Sequence, residues 1–254
     1  MKREFQTFGD PVAWVNAAAD LFYRSAQEAV GSRGLFAAAL SGGKTPHPVY
    51  ERLSLPPYRS DIDWPAVHLF WGDERCVPFD DPASNFGTAR TAFLEKVPLP
   101  AENVHPVPVS ADTCTAAADR YEKTLRRFFR PDFRASTANS REPEEPLFPV
   151  FDLILLGLGT DGHTASLFPG SPALAESQRW AVAVPNAPQP PFVSRVTLTL
   201  PVINRARTVL FLVGGKDKEK MVGRISRDWD KPSSPYPAAR IRPAGKILWL
   251  VLEP

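Results

Sequence analysis

The stretch from Phe151 to Gly170, FDLILLGLGTDGHTASLFPG, constrains the fold more than any other part of the chain. Phe151 to Leu156 is apolar except for Asp152. A run that short and that apolar predicts a strand buried on both faces, as in a parallel sheet covered by helices. It breaks into Gly157-Leu158-Gly159-Thr160-Asp161-Gly162. Glycines at this density let the backbone take positive φ and lie close to a ligand. His163 follows, and Thr164 to Phe168 is expected to start a helix. An Asp and a His two residues apart, at the carboxyl end of a buried strand, stand where open α/β sheets put their ligands. The same residues could serve an ordinary strand-to-helix turn, with Asp161 as a cap and His163 bonded to backbone.

Similar junctions recur along the chain. Val12, Val15, Ala19, Phe22, Ala26 and Ala29 step by three and four, so Asp10 to Gly31 predicts an amphipathic helix. Leu35 to Leu40 reads as a short buried strand ending in Ser41-Gly42-Gly43-Lys44-Thr45-Pro46. A strand that leaves through Ser-Gly-Gly into a helix can offer several N–H groups, and the helix end, to one anion. This turn carries neither a Walker loop nor GxGxxG. Val67 to Trp71 leads into Gly72-Asp73-Glu74-Arg75, where a carboxylate can orient a base and the Arg can fork onto phosphate. A solvated loop with a surface ion pair is the plainer alternative.

Ser84 or Asn85 caps a helix expected to run to about Lys96, and Val104 to Val109 reads as a short extended piece. Cys114, Ala117, Tyr121, Leu125 and Phe128 give a second helical face. The polar, proline-rich segment 131–149 reads as a surface insertion or mobile loop. Trp180 to Val184 and Ser194 to Leu200 are strand candidates, the latter carrying Arg195. Pro201 to Ala206 and Asp217 to Arg227 read as helices, and Lys246 to Leu252 as the last strand. Thr208 to Val213 is another buried strand, ending in Gly214-Gly215-Lys216, and that Lys can reach a bound anion or face solvent. The alternation predicts an α/β fold: a single domain over residues 1–254, with a doubly wound, mostly parallel, Rossmann-like sheet and helices on both faces.

Composition removes several function classes. A net charge of +2 gives no electrostatic case for nucleic acid or a membrane surface, and no apolar run approaches a membrane span. Cys76 and Cys114 form no CxxC, which argues against a disulfide framework and suits a reducing cytoplasm. His47, His68, His105 and His163 form no i, i+4 pair, so no zinc-protease motif exists and no metal site is expected. The first 22 residues carry Glu4, Asp10 and Asp20 and lack the apolar core of a signal peptide. GxSxG is also missing, which weighs against a serine nucleophile.

At this point the sequence resembles the 6-phosphogluconolactonases, and through them the wider glucosamine-6-phosphate isomerase/deaminase superfamily. The resemblance runs nearly end to end. It rests on LSGGKTP at 40–46, FWGDERCVPFDDPASNFG at 70–87, GLGTDGHTASLFPG at 157–170, SRVTLTLPVINRA at 194–206 and the Gly-Gly-Lys at 214–216. WGDER followed by SN, together with DGHTASLFPG, favours the lactonase branch. The family more often has Ser or Thr where Lys44 stands.

The resemblance implies a hydrolase for 6-phospho-D-glucono-1,5-lactone, with no metal or organic cofactor; a cytoplasmic monomer or weak homodimer is expected. The expected substrate residues are Ser41, Gly42, Gly43, Lys44, Asp73, Arg75, Arg195 and Lys216, with Lys44 this chain's departure from the family. His163 is the implied general base, with Arg75 near the developing oxyanion and Asp161 or Glu74 orienting the imidazole. The sequence leaves the choice between those two carboxylates open. An amino-sugar phosphate deaminase using the same His, and a non-catalytic sugar-phosphate sensor, are the alternatives. Ammonia release marks the first, and binding without turnover marks the second.

Overall fold

The computed structural model describes residues 2–109, 113–129, 148–231 and 234–253. Of the insertion expected at 131–149, all but the last two residues lie outside that range.

Strand β1 (Lys2–Phe8) precedes helix α1 (Pro11–Arg33) and strand β2 (Phe36–Leu40). Two short helices follow, α2 (His47–Leu53) and α3 (Tyr58–Asp61), then β3 (Val67–Trp71) and β4 (Asp73–Arg75). Helices α4 (Asn85–Ala92) and α5 (Cys114–Phe129) lead to β5 (Leu153–Leu156). Strands β6 (Ala181–Val184) and β7 (Arg195–Leu198) come before helix α6 (Leu200–Asn204). The chain closes with β8 (Thr208–Gly214), α7 (Lys216–Asp228) and β9 (Lys246–Leu252).

Six strands form one parallel sheet in the order β1-β9-β8-β5-β2-β3. Every residue of β2 and β5 is buried, so both faces of the sheet centre are covered, as the apolar runs predict. The one charge beside β5 is satisfied where it lies. Asp152 accepts from the Ala37 amide at 2.9 Å and ion-pairs with Arg33 Nη2 at 2.9 Å. Helix α1 starts as its sequence demands, with the Asp10 carboxylate accepting from the amides of Val12 and Ala13. It ends on Gly34, whose φ of +78° is the left-handed conformation a helix stop favours.

The strand order fixes where the sheet opens. From β2 the chain moves outward to β3, whereas from β5 it moves the other way to β8 and β9. The loops after β2 and β5 therefore diverge, leaving a crevice at the carboxyl ends of two neighbouring strands.

Several expectations are corrected. A second, antiparallel sheet of order β4-β7-β6 stands beside the first, so Arg195 starts a strand of that sheet and does not end a parallel one. Residues 164–168 form a tight turn closed by a Thr164–Leu167 bridge, with Ala165 at φ +47°, and not a helix. Helix α4 stops at Ala92 and a 3-10 turn covers Leu94–Lys96. Of the extended piece at 104–109, Val104 alone forms a bridge, to Leu69. Edge strand β1 carries no apolar run or alternation, since most of its residues face solvent. Cys76 and Cys114, read as unpartnered, are joined in a disulfide with Cα atoms 5.8 Å apart. Their separation of 38 residues says nothing of distance in space, and the start of α5 packs beside the residue after β4. Among the described residues, no helix is long and apolar enough to cross a membrane.

Candidate active site

The crevice holds a cavity of about 280 Å³. The turn after β2 forms one wall. Tyr50 clasps the end of β2: its hydroxyl donates to the Ser41 carbonyl at 2.6 Å and accepts from the Ser41 amide at 3.1 Å. Burial, partly offset by these bonds, pushes the Tyr50 hydroxyl far above its ordinary pKa, so it stays a neutral donor. Glycine at position 42 leaves room for Asn85, because a Cβ there would lie 1.7 Å from Asn85 Oδ1 and displace that side chain. Asn85 in turn donates to the Asp73 carbonyl at 2.8 Å. Gly43 takes φ +89° and turns the chain past the cavity. Helix α2 starts only at His47, beyond the lining residues, so the turn and not the helix end faces the hollow.

The loop after β5 forms the opposite wall. Gly159 makes room for two side chains, since a Cβ there would sit 2.1 Å from His163 Nδ1 and 2.7 Å from Asp161 Oδ1. Gly162, at φ +82°, lies under the Tyr236 ring. The loop closes on itself through Gly159 N–H to the His163 carbonyl at 2.9 Å. In that frame His163 Nδ1 lies 2.5 Å from Asp161 Oδ1. A carboxylate only accepts, so Nδ1 carries a proton, and in the neutral ring Nε2 is then the acceptor. Burial raises the Asp161 pKa, but the hydrogen bond to His163 and its charge outweigh this, and the carboxyl is held below its usual range. The imidazole rests on Phe168, ring centroids 4.6 Å apart.

The antiparallel sheet supplies the floor. Arg75 and Arg195 are directly opposed in the β4–β7 register. Like charges opposed across strands repel. Arg195 is 2% exposed, and Arg75 is half-buried. Burial lowers the Arg195 pKa, Asp73 pulls it back up, and Arg75 lowers it further. Backbone carbonyls hold part of each guanidinium: Arg75 Nη1 donates to Ala83 O at 2.7 Å and Arg195 Nη2 to Gln189 O at 2.9 Å. Yet the Nε atoms of both are buried without a partner, as is Ser41 Oγ. Among the described residues, neither arginine has a carboxylate within salt-bridge distance. Ser41 and two arginines, each with a buried donor left without a partner, line one small cavity. A larger hollow of about 450 Å³ lies against α1, but its rim mixes Asp20, Arg24 and Glu28, and none of these unpartnered buried atoms lies in it.

Most of the expected residues converge. Ser41, Gly42, Gly43, Lys44, Asp73, Arg75, His163 and Arg195 all line the cavity, Lys44 from an exposed position, and Asp161 backs His163. Asp73 is fixed by Ser166 Oγ, which donates to its Oδ2 at 2.6 Å.

Two expectations fail. Glu74 faces away from the cavity and accepts from the amides of Arg75, Asn85 and Phe86, each at 2.7 Å. It binds the start of α4, and the choice of carboxylate beside His163 falls to Asp161. Lys216 is exposed and outside the lining, whereas Lys218, two residues further along the helix, is half-buried within it. Lys218 Nζ lies 3.4 Å from Thr45 Oγ1, and burial lowers its pKa. The pair KDK offers two lysines after the glycines, and only the start of α7 at Lys216 determines which turns inward. Gln189 and Thr160 also line the cavity, with no local pattern to mark them. Among the described residues, no group of three or more His, Cys, Asp or Glu could hold a metal ion.

Comparison with known proteins gives the family. The family model described as glucosamine-6-phosphate isomerases/6-phosphogluconolactonase matches residues 9–249. A 6-phosphogluconolactonase of Synechocystis sp. is 44% identical over 224 residues, 88% of this chain and 85% of the relative. One of Nostoc sp. is 38% identical over 254 residues, 99% of this chain and 96% of the relative. The solved 6-phosphogluconolactonase of Trypanosoma cruzi superposes with a TM-score of 0.82 at 31% identity, covering 99% of this chain and 94% of that one. With a shared sheet, a shared length and a match across nearly all of its residues, the chain belongs to the glucosamine-6-phosphate isomerase/6-phosphogluconolactonase family.

Proposed function

We propose that this protein hydrolyses 6-phospho-D-glucono-1,5-lactone to 6-phospho-D-gluconate, a step of the oxidative pentose phosphate pathway. One observation carries the reading: the opposed, unpaired Arg75 and Arg195 share a cavity with an imidazole whose Nδ1 is tied to Asp161. The two arginines suit the two negative ends of the reacting substrate, its phosphate and its developing oxyanion. The imidazole suits removal of a proton from water.

The substrate phosphate binds Arg195, Lys218 and the Ser41-Gly42-Gly43 turn, with Lys44 at the mouth. Anchoring at that end holds the lactone carbonyl near His163. His163 Nε2 takes a proton from water as the water oxygen attacks C1. Asp161 stabilises the imidazolium that results. Arg75 faces the negative charge on the carbonyl oxygen, the usual place for a fixed cation in acyl transfer. As C1–O5 breaks, His163 returns its proton to O5, so the enzyme ends unchanged and one water is consumed. Asp73 accepts hydrogen bonds from sugar hydroxyls.

The test is proton release from freshly prepared lactone, with the spontaneous rate subtracted. The expected result is turnover that scales with enzyme. Ammonia release from glucosamine 6-phosphate in place of lactone turnover would assign the other chemistry of the family. Saturable binding with neither reaction would leave a sensor.

A further inference from the structure

Asp161 uses both of its oxygens. Oδ1 accepts from the ring and the backbone amide of His163, at 2.5 and 3.1 Å. Oδ2 accepts from Gln189 Nε2 at 3.2 Å. Because a carboxylate offers no donor, the amide of Gln189 must present its NH₂ there, and its orientation is determined. The backbone of the same residue binds the other half of the site. Arg195 Nη2 donates to the carbonyl of Gln189 at 2.9 Å, and to those of Pro190 and Pro191 at 3.2 and 3.1 Å. The segment 185–191 holds four prolines, which restrict its backbone. One residue therefore touches the carboxylate behind the base with its side chain and the buried guanidinium with its main chain.

We infer that Gln189 is a positioning residue that holds Asp161 against His163 and links the placement of Arg195 to that of the base. The inference rests on the hydrolytic reading above. The geometry explains why a neutral donor is useful here. With Oδ2 unheld, Asp161 could turn about its terminal bond and weaken its hold on Nδ1. A neutral amide steadies the carboxylate and leaves its full charge facing the imidazole. The charged groups sharing the cavity walls with His163 are Asp73, Arg75, Arg195, Lys44 and Lys218, with Asp161 behind the ring. Gln189 adds no charge to that set, so charge placed at this position is a clean probe of the link.

The test compares kcat and kcat/KM against pH for the wild-type enzyme and the Gln189→Met, Gln189→Glu and Gln189→Lys variants. In Gln189→Met, kcat falls on the order of tenfold, the weight of one hydrogen bond to a charged group, while KM changes less. In Gln189→Glu, added negative charge moves the acid limb of kcat/KM to higher pH, and in Gln189→Lys that limb moves to lower pH. Glu and Lys profiles that superimpose on the wild type would overturn the inference. Should either charged variant fail to fold, the substrate-free protein decides by proton NMR. The downfield Nδ1–H signal of His163 is expected to move upfield in Gln189→Met, and an unmoved signal counts against the link. That measurement needs no turnover. A wild type lacking lactone hydrolysis sinks the functional reading alone, and an unmoved signal with hydrolysis intact sinks the Gln189 inference alone.

Discussion

His163 and its neighbours illustrate how much the identity of single residues decides. The ring fits because position 159 has no Cβ, and its tautomer follows from a partner that can only accept. His163→Ala is expected to cut kcat by a factor on the order of 10² to 10⁴, the usual weight of a general base, with KM little changed. Steady-state kinetics on fresh lactone checks this, and unchanged turnover removes the residue from the role. The two lysines after the glycine pair give a sharper comparison. Lys218→Ala is expected to raise KM on the order of tenfold or more, the loss of one charge-assisted hydrogen bond, whereas Lys216→Ala leaves KM near the wild-type value. The reverse ranking would return the phosphate role to Lys216.

At the scale of elements, the junction between β4 and α4 is the most telling. Glu74 is fully buried and joins the two by accepting amides from both. Burial pushes its carboxyl up to about 7, against the pull of those amide bonds. Its folded pKa lies above the unfolded value of 4.5, so its contribution to stability is fully present below pH 4.5 and is lost as pH rises through about 7. The slope for one proton is at most about 1.4 kcal/mol per pH unit. Urea midpoints for the wild type and Glu74→Gln across that window are expected to show a stability difference that shrinks with rising pH. A difference constant with pH would exclude Glu74 as the titrating group. The residue is invisible as a structural brace in the sequence, where GDER reads as a catalytic cluster. Adjacent residues of a strand point to opposite sides, so Asp73 and Arg75 can face the cavity only if Glu74 does not.

For the whole molecule, the covalent link between the end of β4 and helix α5 matters most. The disulfide ties the residue after β4 to the first residue of α5 across 38 positions. Closing a loop of that size restricts the unfolded chain by roughly 3–4 kcal/mol. Reduction, or Cys114→Ser, is therefore expected to lower the urea midpoint, read by circular dichroism with and without reductant. An identical midpoint in both conditions would mean that the cross-link contributes nothing to stability. Neither cysteine carries a local signal of pairing, whereas α5 itself, with its regular apolar face, was plain from spacing.

Local order was therefore written in the chain. The apolar runs at Phe36–Leu40, Leu153–Leu156 and Thr208–Gly214, each followed by glycine within two residues, marked buried strands ending in tight turns, because strand and turn propensity depend on neighbouring residues. Tertiary structure decided the rest: the small antiparallel sheet that opposes Arg75 to Arg195, the inward turn of Lys218, the retreat of Glu74 and the reach of Gln189 to Asp161. Each of these depends on which strand lies beside which, and that order is set by packing between segments remote in sequence.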